Sequence, residues 1–99
     1  MVKHIVCWTF KDTTPDHLKA NIGRAKELLD ALPSKISGIK HFEVGVNFNH
    51  TPEAYHLALY SEFVSKEALD AYLDHPEHQK VADYLRTIRD KRVVVDYRV

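Results

Sequence analysis

The chain is poor in two residue types that build common functional sites, cysteine and glycine. Its 99 residues include one cysteine and three glycines. The single cysteine, Cys7, cannot form an intrachain disulfide, and its position inside an apolar run predicts a small buried side chain rather than a nucleophile. The glycines lie far apart, at positions 23, 38 and 45, so no glycine-rich loop is available to cradle a phosphate. We therefore expect no nucleotide and no other cofactor.

The chain also has no excess of charge of either sign and no long apolar run. Fourteen basic and fourteen acidic side chains cancel, and no block of five or more like charges occurs. This balance argues against a nucleic-acid partner and against binding to an anionic membrane surface. No apolar run approaches the roughly 18 residues of a membrane span. The first residues lead into a strand pattern rather than a secretory signal. Since a lone cysteine fits a reducing compartment, we expect a cytoplasmic protein.

Hydrophobic periodicity divides the chain into seven elements within one domain over residues 1–99. Thr14 and Pro15 are typical of a helix start, and Pro33 prevents that helix from continuing. Ser65 is a second N-cap candidate, and His75 before Pro76 marks a break between two helices. The predicted elements are a strand over residues 2–10, a helix over 15–32, strands over about 38–48 and 55–63, helices over 66–73 and 76–89, and a strand over 93–97.

The order β-α-β-β-α-α-β predicts an α+β fold of the ferredoxin-like type, with its second crossover split into two helices. Right-handed crossovers place every helix on one face of a four-stranded antiparallel sheet. The opposite face would carry apolar side chains that nothing in the chain covers. They are Ile5, Cys7, Ala58, Tyr60, Val93, Val95 and Tyr97.

Leaving that face in water would cost on the order of 10 kcal/mol, comparable to the stability of a small domain. The simplest cover is a second copy packed sheet against sheet, which predicts a homodimer in the form of a dimeric α/β barrel. A monomer with a different crossover arrangement is the alternative.

Two histidines and a tyrosine interrupt apolar stripes that should face the layer between sheet and helices. His4 lies on the inward side of the first strand, and His78 shares the stripe of the last helix. Tyr72 follows a leucine by three positions and so shares the inward face of the short helix. A buried neutral imidazole can accept a proton while a phenol stabilises a developing oxyanion. The alternative is that both rings bond to backbone carbonyls and the phenol only packs.

Two further features of the sequence are a pair of histidines with metal-ligand spacing and a lone aspartate in the last strand. His75 and His78 are spaced i, i+3 and could chelate a divalent metal with His4, but no cysteine pair or carboxylate completes the set, so we predict no metal. Asp96 is the one charge in an otherwise apolar final strand. It could orient an imidazole, but we expect it to pair with Arg92 or Arg98 instead.

Four segments of the chain form a recognisable set: residues 2–6 (VKHIV) with 10–12 (FKD), residues 60–63 (YSEF) with Ser65, residues 72–78 (YLDHPEH) and residues 92–97 (RVVVDY). Together they resemble the stress-responsive dimeric α/β-barrel family, called Dabb. The resemblance runs nearly from end to end of the chain, and it implies a dimeric barrel.

One plant branch of that family resembles a cofactorless polyketide cyclase, and the likeness assigns roles to residues. Its acid/base histidine and assisting tyrosine match His78 and Tyr72, and its first-strand histidine matches His4. A further pocket histidine corresponds to Leu57, while Trp8, Tyr84 and Arg89 would make this cavity bulkier and more charged. The expected ligand-binding residues are Val6, Trp8, Leu57, Leu59 and Tyr84.

These expectations define the predicted function. The protein should bind a small hydrophobic or aromatic carbonyl compound between sheet and helices, with cyclase-like acid/base turnover that needs no cofactor. The first alternative is a non-catalytic stress-response oligomer, since another branch of the family looks like a stress protein that assembles into larger rings. The second is a cofactorless enzyme resembling the antibiotic-biosynthesis monooxygenases.

Overall fold

A computed structural model describes residues 1–99. The predicted order of elements is confirmed, with a short 3₁₀ turn at Leu32–Ser34 added after the first helix. None of the helices combines the length and the apolar character that crossing a bilayer demands. The elements are β1 (Val2–Phe10), α1 (Pro15–Asp30), β2 (Ile39–Val46), β3 (Leu57–Phe63), α2 (Lys66–Asp74), α3 (Pro76–Ile88) and β4 (Arg89–Arg98).

The four strands form one antiparallel sheet in the order β2-β3-β1-β4, the predicted ferredoxin-like arrangement. β1 lies inside the sheet and its even-numbered residues are buried, because the helices cover that face. In the register of the sheet, His4 lies opposite Ser61 on β3 and Asp96 on β4. The Ser61 hydroxyl donates a 2.9 Å hydrogen bond to the backbone oxygen of His4.

The sheet face turned away from the helices is open, as predicted. Cross-strand partners point to the same side of a sheet, so Val93 and Val95 share this face with their β1 partners Cys7 and Ile5. Val95 is 55 % exposed, and Tyr97 is also exposed. The overall extents of 39 × 26 × 17 Å describe a thin two-layer slab. A broad apolar surface therefore faces solvent in the single chain.

Two helix starts agree with the predicted caps and one differs. Ser65 accepts a hydrogen bond from the backbone N–H of Ala68 at 3.1 Å, as its N-cap position predicts. His75 caps α3 through Nδ1, which accepts from the backbone N–H of Glu77 at 3.0 Å. Thr14 holds the N-cap position of α1, but its side chain makes no capping bond.

Several predicted boundaries were wrong. α1 ends at Asp30 rather than residue 32, because the ring of Pro33 crowds the carbonyl four residues earlier and the chain tightens into a 3₁₀ turn. β4 begins at Arg89, four residues before the predicted start. The charged run from Arg89 to Arg92 is strand because it pairs with β1, with Arg92 opposite Trp8. At the other edge, β2 stops at Val46, so Phe48 lies outside the strand and is exposed.

Candidate functional site

A cavity of about 290 Å³ lies between the sheet and the helices. Its volume is near the lower end of the roughly 300–1,000 Å³ typical of small-molecule pockets. Sixteen residues line it, nine of them hydrophobic and the other seven polar or charged, so the cavity wall is of mixed character. Among the polar groups are His4, Tyr72 and His78, which the sequence had predicted to face the same layer.

His4 is held in place from the neighbouring strand. It is 2 % exposed, and its Nδ1 is hydrogen-bonded to Oδ1 of Asp96. An ionised carboxylate only accepts hydrogen bonds, so Nδ1 carries the proton and Nε2 is the remaining ring nitrogen. The expected ion pair of Asp96 with Arg92 or Arg98 is therefore wrong. Strand register explains the outcome, because Asp96 lies directly opposite His4.

Tyr72 has the least usual environment of the three. It is 1 % exposed, and its hydroxyl is buried without a hydrogen-bond partner. A buried polar group left unpaired costs about 1–3 kcal/mol. Burial raises the pKa of Tyr72 above its ordinary value, so the phenol stays protonated near neutrality and can act as a donor. An unpaired donor at the wall of a cavity is a group available to a ligand.

His78 lies beside Tyr72 in the first turn of α3. Their ring centroids are 4.6 Å apart, while the ring of His4 lies 6.2 Å from that of Tyr72. The Nδ1 of His78 donates a 3.0 Å hydrogen bond to the backbone oxygen of Leu73, which leaves Nε2 as an acceptor in the neutral ring. Burial lowers the pKa of His78, the hydrogen bond to Leu73 opposes this effect, and the charges of Arg92 and Arg86 lower the pKa further. The imidazole is therefore neutral and able to accept a proton near pH 7.

The predicted ligand-binding residues fall into two groups. Val6, Trp8 and Leu59 line the cavity together with the two histidines and Tyr72. Leu57 and Tyr84 are not among the residues that line it, and their contact with a ligand stays a prediction.

Leu57 lies one inward position further along β3, opposite Trp8, and borders a separate depression at the end of the sheet. Tyr84 packs against the core from α3. At 100° per residue, positions 78, 82 and 85 share one flank of that helix and position 84 lies on the other flank.

Sequence reasoning did not place Arg86 and Arg92 in this cavity, although it had noted Arg89. All three line it. Arg89 and Arg92 belong to the part of β4 that was not predicted as strand, so the side to which they point could not be assigned. Arg92 lies two residues before Val94, so strand alternation would have placed it on the same inward face. Arg89 lies five residues before Val94, and it reaches that face because the register of β4 against β1 shifts beyond Trp8.

No group of three or more histidine, cysteine, aspartate or glutamate side chains is arranged to hold a metal ion. The Nδ1 of His75, one of the two residues weighed for chelation, is occupied in capping α3.

Comparison with known proteins supplies the family. Residues 2–99 match the family described as "Stress responsive A/B Barrel Domain", or Dabb. The chain belongs to this family. The resemblance carried by the four sequence segments is thus confirmed over nearly the whole chain.

Individual known proteins are similar to this chain in sequence, in fold or in both. The "Stress-response A/B barrel domain-containing protein HS1" of Arabidopsis thaliana is 30% identical over 99 residues, covering 98% of this chain and 88% of HS1. A dimeric protein of unknown function with a ferredoxin-like fold, from Bacteroides fragilis, is 39% identical with a TM-score of 0.85, covering 99% of this chain and 95% of its own. Hydroxynitrile lyase from Passiflora edulis is 19% identical with a TM-score of 0.83, covering 99% and 92%. That last likeness shows the fold alone.

Proposed function

We propose that this Dabb protein binds a small hydrophobic or aromatic carbonyl compound in the cavity between sheet and helices and moves a proton on it without a cofactor. His78 is the general base, Tyr72 donates a hydrogen bond to the carbonyl oxygen, and His4 orients the site. The protein acts as a cytoplasmic homodimer of one domain per chain.

The observation that carries the proposal is the unpaired hydroxyl of Tyr72. In the core of a stable protein, such a group is normally bonded or replaced by phenylalanine, because the penalty for leaving it unpaired is avoidable. Here the Tyr72 side chain lines a cavity and lies beside a neutral imidazole. A bound carbonyl oxygen would satisfy the hydroxyl and remove that penalty.

The proposed step is removal of a proton from the carbon next to the carbonyl. That proton moves to Nε2 of His78, and the negative charge develops on the carbonyl oxygen, where the Tyr72 hydroxyl stabilises it. Reversal of the transfer returns the proton from Nε2 of His78 to that carbon. The hydrogen bond between His4 and Asp96 supports this arrangement by fixing one ring that contacts Tyr72.

The open sheet face supports the homodimer. The relative from Bacteroides fragilis, whose fold matches this chain over 99% of its length, is described as dimeric. A second copy packed sheet against sheet would cover Val95 and its exposed neighbours and leave both cavities, on the helical faces, accessible.

The test uses 1,4-diacetylbenzene, a neutral aromatic ketone, as the probe. In D₂O at pH 7 we expect the protein to accelerate deuterium uptake into the acetyl methyl groups, followed by proton NMR, and to be stabilised by the probe in a thermal-shift assay. His78→Ala should abolish the acceleration while the melting temperature stays within a few degrees. His50→Ala is the matched control, because His50 is exposed in the loop after β2.

Two results would contradict the proposal. If His78→Ala and the unchanged protein accelerate deuterium uptake equally, His78 is not the general base. Absence of binding by this and related ketones, together with light scattering from assemblies larger than a dimer, would favour the stress-response oligomer instead.

A further inference from the structure

Three cationic side chains line the cavity. Arg86 comes from α3, and Arg89 and Arg92 come from the first half of β4. The only carboxylate among the lining residues is that of Asp74. The cavity wall therefore carries an excess of positive charge, although the net charge of the whole chain is zero.

Arg89 and Arg92 have no carboxylate partner. The ion pairs that involve arginine are Arg24 with Glu27 and Arg86 with Asp83. Desolvation lowers the pKa of Arg92, and the neighbouring charges of Arg89 and Arg86 lower it further, while Asp96 acts in the opposite direction. Two guanidinium groups thus lie close enough to repel each other, a costly arrangement unless an anion separates them.

The register of the sheet places Arg92 and His4 at different points along the cavity wall. Arg92 lies opposite Trp8 on β1, whereas Asp96 lies opposite His4. Four strand residues separate these two rows, which corresponds to about 13 Å at 3.3 Å per residue. Trp8 and His4 both line the cavity, so its length runs from a cationic end to an imidazole end.

We infer that the ligand carries an anionic group, a carboxylate or a phosphate, bound by Arg89 and Arg92, with its carbonyl directed to Tyr72 and His78. This inference rests on the proposed function and narrows its substrate class from carbonyl compounds in general to anionic ones. Guanidinium groups bind both anions through paired, charge-assisted hydrogen bonds. The arginine end sets the orientation of the ligand, because a neutral aromatic ketone could enter in either direction.

The test compares three molecules of nearly the same shape by titration calorimetry at low salt. They are 4-acetylbenzoate, 4-acetylphenyl phosphate and the neutral 1,4-diacetylbenzene. We expect at least one of the two anions to bind about tenfold or more tightly than the neutral ketone, the difference typical of a hydrogen bond to a charged group. The anion that binds more tightly identifies the group as carboxylate or phosphate.

Variants then test whether the cavity arginines cause the tighter binding of the anion. Arg92→Gln and Arg89→Gln should each weaken binding of the preferred anion about tenfold and change binding of the neutral ketone less than about twofold. Arg92→Lys keeps the positive charge but lacks the paired hydrogen-bond donors of a guanidinium group, so it tests whether those paired bonds contribute to anion affinity. Arg98→Gln is the matched control, since Arg98 follows Arg92 on the same face of β4 but does not line the cavity. It should leave both affinities unchanged.

The outcomes separate this inference from the proposed function. Equal affinity for the anions and the neutral ketone would overturn the anionic class while leaving carbonyl binding in place. Equal loss of anion affinity in Arg92→Gln and Arg98→Gln would assign the effect to net charge and overturn the arginine site. Binding of none of the three molecules would overturn both proposals.

Discussion

His4 on β1 and Asp96 on β4 face each other in the sheet, and Asp96 accepts a hydrogen bond from Nδ1 of His4. The imidazole is 2 % exposed, while the aspartate side chain is 43 % exposed. The pair therefore links a buried ring at the cavity wall to a partly exposed carboxylate on β4, the edge strand of the sheet. Its direct consequence is a fixed tautomer, with the proton on Nδ1.

Asp96→Asn should remove the preference of His4 for that tautomer. The amide can donate as well as accept, so the proton of His4 is no longer confined to Nδ1. We expect the ring-nitrogen NMR signals of ¹⁵N-labelled His4 to change from one tautomer to a mixture, and the free energy of unfolding to fall by about 1 kcal/mol. Asp90→Asn, at an exposed position of the same strand, should leave both quantities unchanged. Unaltered His4 signals in Asp96→Asn would disprove the fixed tautomer.

Tyr72→Phe should leave the ligand-free protein as stable as before, or make it more stable by about 1 kcal/mol. The substitution removes a buried hydroxyl that has no partner, so no hydrogen bond is lost and a desolvation penalty disappears. The same change should abolish probe-dependent deuterium uptake. Urea unfolding measures the first effect and proton NMR the second.

The control for this variant is Tyr60→Phe. The hydroxyl of Tyr60 donates a 2.7 Å hydrogen bond to Glu62, so its removal should lower the free energy of unfolding by about 0.5–1 kcal/mol. Strong destabilisation by Tyr72→Phe, as large as or larger than that of Tyr60→Phe, would show that the Tyr72 hydroxyl has a structural partner.

Much of the fold could be predicted because its patterns are local. The alternation over β1 and the Ser65 cap depend on neighbouring residues, and both agree with the structure. The early start of β4 could not be predicted from composition. The run from Arg89 to Arg92 is charged, and it is a strand only because the hydrogen-bonding groups of β1 need partners on that side.

The candidate site was predictable to the same degree. The inward positions of His4, Tyr72 and His78 follow from strand and helix periods, and all three border one cavity. The partner of Asp96 depends on the register between two strands that are 92 residues apart in sequence. The hydrophobic pattern fixes which side chains face inward but does not distinguish registers that differ by two residues, so the sequence favoured an ion pair and the structure contains a hydrogen bond to His4.

Stability should depend on the charge of His78 at mildly acidic pH. Its pKa in the folded protein is lowered, first by burial, below the value of about 6.5 in an unfolded chain. The unfolded state therefore binds the proton first as the pH falls, so the His78 contribution to stability is complete above about pH 6.5 and is lost toward its folded pKa. His78→Gln should flatten the decrease in melting temperature between about pH 7 and pH 5, and His50→Gln should not. Identical slopes in all three proteins would contradict the lowered pKa.

Val95→Lys should convert the proposed dimer into monomers. Val95 is 55 % exposed on the sheet face turned away from the helices, and an ammonium group there would be buried without a partner between two packed sheets. Light scattering during gel filtration should show half the mass of the unchanged protein. Val64→Lys is the matched control, because Val64 is 59 % exposed but lies just beyond the end of β3. If Val95→Lys remains dimeric, or if both variants dissociate, the sheet face is not the interface.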